Sequence, residues 1–386
     1  MKPFIRIAAT AALAVALGVA FAAPAVADHP AAGHVGDTAS YENIGHAVFV
    51  QTDGLSGNRI VSYDRAPDGS LTFAGSYATG GVGGQLDGSV VDHIASQGSL
   101  TYDADHSLLF AVNAGSDNVS VFGVRGDHLD RLQVIPSGGR FPVSIAVHDG
   151  LVFVLNAEAG GSIQGYGVFF GRLFPLPGTH RALGLDPTAT PQFVNTPGQV
   201  AFSPDGRQLI VTTKANGNDI DVFRVGFFGT LSASPVVNAE PGTVPFAVTF
   251  DAAGNLVVAE AGTNALATFA LHHDGTVVPL SSAGTGQSAT CWITAIDGRF
   301  YASNAGSGSV SRFTEGAGGT LTLVDNTGTD AGTVDSAAAP DGHFLYVQTG
   351  ANGVVDEYHV NGNGSLTQIG SVTVPAAVGG EGIVAI

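Results

Sequence analysis

Cations are scarce in this chain, and that makes its reactive groups easy to find. Among 386 residues there are 14 Lys and Arg against 32 Asp and Glu. Three residues are candidates for catalysis: Asp335 in the run TVDSAAAPDG, Glu381 in GGEGIVAI, and Arg140 in SGGRFPVSIAV. Two carboxylates facing one cavity could act as general acid and general base if the site splits their pKa values. They could equally hold a divalent cation through oxygen ligands, or be hydrated groups with no task. Gln199, Lys214, Glu260 and His93 are candidates for binding a substrate. Lys214 stands out as a rare cation. Glu260 occupies a place where comparable segments carry Asn113, Asn156 and Asn304, and an Asn there reads as a local backbone partner. His93 follows Asp92 in a long polar stretch. No HExxH, EF-hand loop or paired Cys occurs, so neither a metal site nor a cofactor is expected. No GxSxG is followed by a helix. The single Cys291, beside Trp292, reads as packed.

These groups need a scaffold, and residues 196–225 supply its pattern. TPGQVAFSPDGRQLIVTTKANGNDIDVFRV reads as strand, tight turn, strand, polar loop, strand. Ser203-Pro204-Asp205-Gly206 is turn chemistry: Pro sets φ and Gly accepts a positive φ. The flanking runs are β-branched and alternate. The unit recurs about every 44 residues, within the range of propeller blades. Six copies begin near Gln97, Phe141, Thr196, Pro245, Cys291 and Asp335. A seventh, at residues 46–77, lacks its inner strand. Residues 380–386 look like an inner strand with nothing after it. The C-terminus is therefore expected to complete blade one and close a seven-bladed, all-β propeller over residues 46–386. An open β-solenoid is the rival architecture.

Propeller geometry then assigns positions. The first strand of each blade lines a central channel, and Ser99, Val143, Gln199, Ala247, Cys291, Asp335 and Glu381 are expected to face it. The start of that strand and the loop after the second strand share one mouth. The long connectors, residues 78–98 and 183–197, are expected to decorate that mouth, where such loops often carry function. Arg140, Lys214, Glu260, Asp335 and Glu381 are expected to cluster there.

Composition narrows the rest. Charged residues are 12% of the chain, against a usual ~25%, and Gly numbers 55. This suits many short strands and not a helical protein. A net charge of −18 argues against nucleic acid and anionic membrane surfaces as partners. Lys2 and Arg6, the apolar run of residues 7–23 and Ala25-Val26-Ala27 read as a signal peptide cleaved after Ala27. Residues 28–45 read as a flexible lead-in. The expectation is a secreted monomer with no membrane insertion and a small-molecule or carbohydrate ligand. With one Cys, no internal disulfide is expected.

FSPDGRQLIVTT followed by NDIDVFRV, and LLFAVNAGSDNVSVF, resemble the repeats of the seven-bladed lactonase-type propellers. That family includes bacterial 6-phosphogluconolactonase and fungal carboxymuconate-lactonising enzyme, and merges into the YVTN-repeat propellers. The resemblance implies a hydrolase or isomerase acting on a lactone or sugar acid at polar residues of the channel. The inner strands here carry no Pro-His pair at their starts. A second expectation therefore stands beside the first, an extracellular propeller that binds a small molecule, glycan or protein without chemistry.

Overall fold

The computed structural model describes residues 46–386. The signal peptide expected at 1–27 and the lead-in at 28–45 lie outside the described residues. The described chain forms seven antiparallel sheets, six of four strands and one of five. In the fourth, Gln199–Phe202, Gln208–Thr212, Asp219–Arg224 and Val236–Ala239 succeed one another outward. Its first turn follows from its residues. Gly206 takes a φ of 68°, and Asp205 Oδ1 accepts from Ser203 Oγ at 2.7 Å and from the Arg207 N–H at 3.1 Å. The fifth strand of the third sheet is Arg181–Ala182, paired with Ser162–Phe169.

Ring closure is as the sequence implies. Ile383–Ala385 pairs antiparallel with Ala47–Gln51, placing Val48 opposite Ala385 and Val50 opposite Ile383. The strand is shorter than the expected 380–386 and begins after Glu381. The molecule is a seven-bladed β-propeller with blade one built from both ends of the described chain. The pairing excludes an open solenoid.

Burial explains the two kinds of strand. Second strands such as Leu108–Asn113 and Phe344–Thr349 are buried at every position, because both faces of a blade pack on its neighbours. Outer strands such as Thr320–Gly328 alternate between cover and solvent at the rim. Apolar clusters therefore lie between blades. One joins Val61 and Tyr63 to Phe344 and Tyr346, and another joins Phe49 to Leu109 and Phe122. Buried tyrosines tie the same seams. Tyr166 Oη donates to Pro136 O and Tyr358 Oη to Gly328 O, each at 2.7 Å and each from a third strand to the preceding blade.

The inner strands are irregular where they meet the axis. Register shifts interrupt the pairing between Pro142 and Ser144, Pro245 and Val248, Thr290 and Trp292, and Thr333 and Ser336. A bulge leaves a backbone N–H without a ladder partner, so a neighbour must supply an acceptor. Two one-turn helices, Gln192–Asn195 and Lys214–Gly217, pack together at the mouth. Among the described residues no helix is long and apolar enough to cross a membrane.

Candidate functional site

The connector between blades one and two does more than decorate the mouth. It enters the channel and plugs its mouth end. Ser96 O accepts from Trp292 Nε1 of blade six at 2.5 Å, and Ser96 Oγ lies 2.7 Å from Val143 O of blade three. Its Oγ also lies 2.6 Å from Glu381 Oε1, next to blade one. Residue 96 touches the inner strands of blades three and six and the segment leading into that of blade one, which places it at the axis. Gln97 meets the channel edge of blade six's inner strand, just past its register shift. Its Oε1 accepts from Ile293 N–H at 3.0 Å and its Nε2 donates to Ile293 O at 2.8 Å. Its carbonyl accepts from Ser144 Oγ at 2.6 Å. These groups take the place of water, which explains why the polar channel residues are buried.

Two charged groups come from one repeat position. Aligned by strand register, the position after Thr52, Asn113, Asn156, Thr213, Glu260, Asn304 and Thr349 holds Asp53, Ala114, Ala157, Lys214, Ala261, Ala305 and Gly350 in blade order. Small residues leave room for the plug; of the two charged exceptions, Lys214 holds it and Asp53 Oδ2 accepts from the Glu381 N–H at 2.9 Å. Both adopt left-handed backbone, Asp53 at φ 48° and Lys214 at φ 51°, a conformation that costs a non-glycine residue energy and is retained where surroundings enforce it. Lys214 is 1% exposed. Its Nζ donates to Ala95 O at 2.7 Å and to Phe193 O at 2.6 Å, and lies 5.2 Å from the centre of the Phe246 ring. One ammonium thus fastens both long connectors. Asn216 adds to this, donating to Asp186 O and Asn195 O at 2.9 Å each.

Two buried acids, Asp92 and Glu381, act on this cation, and Asp53 and Asp335 in turn act on Glu381. Burial pushes the Asp53 carboxyl up to about 7, opposed by the Glu381 N–H and the Gln51 amide and reinforced by the Asp92 charge. Burial raises Asp92 to about 6, with Lys214 pulling it down. Burial raises Asp335 to about 7, against hydrogen bonds from the Ser336 and Ile383 backbone. Glu381 is raised well above the ordinary range, first by burial and then by Asp92. Burial lowers Lys214 to about 8, and the charges of Asp92 and Glu381 resist that. The Glu381 carboxyl also accepts from the Ser96 N–H at 3.1 Å, so one residue of the connector meets it through both backbone and hydroxyl.

Beside Lys214 a pocket of about 260 Å³ opens at the mouth. Its walls include Val91, Phe193, Phe246 and Trp292, and its charged members are Asp92 and Lys214. Cys291 also lines it, and burial pushes that thiol up, so it is not a ready nucleophile. Small side chains at Ala261, Ala289 and Ala305 make the space. No described group of three His, Cys, Asp or Glu residues is arranged to hold a metal ion.

The residues singled out from sequence divide among several places. Lys214 and Glu381 meet around the plug, and Asp335 is close enough to Glu381 to raise it. Asp335 lines the channel on the far side of the plug with Gln199. Both serve bulges: Asp335 Oδ1 accepts from Ser336 N–H at 2.9 Å, and Gln199 Oε1 from Val248 N–H at 2.6 Å. Arg140 is largely exposed, lies 3.5 Å from Glu158, and lines a separate polar groove with Asp186 and Asn216. Glu260 accepts from Thr263 Oγ1 at 3.0 Å and is raised by burial. His93 is half-buried, its Nδ1 lies 3.3 Å from Asp53 O, and burial lowers it. Asn304 bonds the local backbone as expected, its Nδ2 donating to Ser309 O at 3.2 Å, whereas Asn113 Nδ2 donates to a side chain, Ser120 Oγ, at 2.8 Å. Sequence reasoning did not single out Asp53, Asp92 or the pair Ser96-Gln97. Asp53 was findable, because it shares a repeat position with Lys214.

Comparisons with known proteins agree with this architecture. A periplasmic gluconolactonase of Pseudomonas aeruginosa superposes with a TM-score of 0.71 at 18% identity, over 88% of this chain and 98% of that one. A protein from Lactobacillus plantarum gives 0.69 at 20% identity, over 87% and 98%. A provisional 6-phosphogluconolactonase of Bacteroides fragilis gives 0.68 at 19%, over 89% and 98%. At such identities the likeness shows the fold alone. No curated protein sequence matches this chain. The family model described as "Lactonase, 7-bladed beta-propeller" matches residues 84–380. With most of its blades inside that match, the chain belongs to the lactonase family of seven-bladed β-propellers.

Proposed function

We propose that this chain is an exported hydrolase or isomerase that opens a lactone in the pocket beside Lys214. The observation that carries the reading is a mostly apolar pocket whose charged groups are one carboxyl and one ammonium, Asp92 and Lys214. At pH 7, Asp92 at about 6 is mostly ionised and Lys214 at about 8 mostly protonated. That is the pairing a general base and an oxyanion stabiliser need. Asp92 takes a proton from water as the water oxygen bonds to the lactone carbonyl carbon. Of the three N–H bonds of Lys214, two go to backbone carbonyls, and the third remains for the developing oxyanion. The ring C–O bond then breaks, and the proton on Asp92 passes to the leaving alkoxide. Membership of the lactonase family supports the reaction class.

Titrating the acid released from a panel of lactones by the purified protein tests this. Turnover is expected to rise through about pH 6 and fall above about pH 8. Asp92→Asn is expected to lose roughly 100-fold or more, the usual scale of a general base. Absence of turnover on every lactone, or an Asp92→Asn variant as active as the parent, would sink the reading. Export is tested by sequencing the N-terminus of protein recovered from culture medium, which is expected to begin at Asp28.

One observation favours the second reading, a propeller that binds without chemistry. The ammonium of Lys214 is already tied to two loop carbonyls, and fastening the loops is work enough to account for it. An Asp92→Asn variant that binds a lactone as the parent does, where neither turns it over, is the outcome that reading expects.

A further inference from the structure

We infer that the ligand of this pocket is a small, uncharged, apolar lactone, and that phosphorylated or heavily hydroxylated sugar lactones are excluded. This rests on the reading of the pocket as a lactone site and narrows its substrate class. Four observations carry it. First, the walls are Val, Phe, Trp and Ala side chains, with no Ser, Thr, Asn or Gln among the lining residues to meet a row of sugar hydroxyls. Buried hydroxyls without partners would cost binding energy at each position. Second, no arginine lines the pocket, and Arg140 lines another groove. Third, the single cation there is spent on Ala95 O and Phe193 O, so a phosphate would find one free N–H. Fourth, that phosphate would approach Asp92, with Glu381 behind it, and meet like charge or force protonation.

Size sets the other limit. A space of about 260 Å³ lies just under the ~300 Å³ at which sites for drug-sized ligands begin. It takes one small ring with a short alkyl tail. The alanines at 261, 289 and 305 form the side against which such a tail would lie.

The chain has one Trp, and Trp292 lines this pocket, so binding can be read without any activity. Purified protein is titrated with δ-nonalactone, glucono-δ-lactone and 6-phosphogluconate while Trp292 emission is followed. A saturable change is expected with δ-nonalactone, at least tenfold tighter than with either sugar compound. Ala305→Phe, which fills the space, is expected to abolish it, with far-UV circular dichroism confirming the fold. Should that variant not fold, Ala261→Leu serves the same purpose. Arg140→Ala is expected to change nothing. Tighter binding of 6-phosphogluconate or glucono-δ-lactone, or no response of Trp292 to δ-nonalactone, overturns the inference. Binding of δ-nonalactone without turnover removes the hydrolase reading and keeps this one. Turnover of a sugar lactone without δ-nonalactone binding does the reverse.

Discussion

Lys214 carries two kinds of work at one atom. Its ammonium ties Ala95 and Phe193, and its charge faces Asp92. Lys214→Met keeps the stem and removes the charge. It leaves two carbonyls and the Asp92 carboxyl without their partner, and is expected to cost roughly 2–4 kcal/mol in urea unfolding. The same change is expected to move Asp92 further up, visible as a shifted carboxyl titration in NMR. Lys214 was legible in sequence as a rare cation near the mouth. Its burial was not, because nothing near it in the chain announces that residues 95 and 193 will close over it. Glu381 was legible as an acid at the axis, but its partner Ser96 stands 285 residues away.

At the scale of elements, the decisive one is the first long connector. Its length alone marked it as functional. Its path follows from a need of the inner strands, whose channel-side edges carry N–H groups that something must accept. Gln97 serves blade six, Gly98 O serves Ile145 of blade three, and Gln199 serves Val248 of blade five. Gln97→Ala removes both bonds to Ile293 and is expected to cost about 1–3 kcal/mol. Hydrogen exchange should quicken at Ile293 more than at the matching amide of blade five, whose acceptor Gln199 is untouched. Equal protection at both sites would mean the connector is not the plug described. The tyrosine ties predict a smaller effect: Tyr358→Phe frees Gly328 O and is expected to lower stability by about 1 kcal/mol in urea unfolding.

For the whole molecule, the buried acids make stability depend on pH. Asp53, Asp92, Asp335 and Glu381 are raised on folding. Between about pH 4 and pH 7 the folded protein keeps protons that the unfolded chain has released, so stability falls as pH rises through that window. Lys214 is lowered, so above about pH 8 the unfolded chain holds the extra proton and stability recovers in part. Below pH 4 the lowered surface acids Asp251 and Asp341 work the other way. The Tm is therefore expected to peak in mildly acidic buffer and decline toward pH 8. Asp335→Asn, which cannot ionise, should flatten that decline, and an unchanged slope would count against the assigned protonation. Ring closure makes a separate prediction. Deleting residues 381–386 strips blade one of its inner strand and exposes the edge of Ala47–Gln51. Loss of a single cooperative unfolding transition, with aggregation, is expected.

Sequence by itself determined the architecture. The Ser203–Gly206 type of turn and the alternating runs around it are local chemistry, and local chemistry repeated about every 44 residues can be counted without a structure. The unpaired strand at the C-terminus then implied the closure, because an open blade edge demands a partner. Sequence also assigned the long connectors to one face, since strand direction follows from the order of turns. Only the tertiary structure decided which polar residues share a site. Asp335, Glu381 and Arg140 resemble one another as charges in an apolar chain, yet one serves a bulge, one is buried on the axis, and one stands in solvent. What separates them is the route of residues 79–99 through the channel. That route is set by hydrogen bonds to blades one, three, four and six, each spanning a sequence distance over which no local pattern reaches.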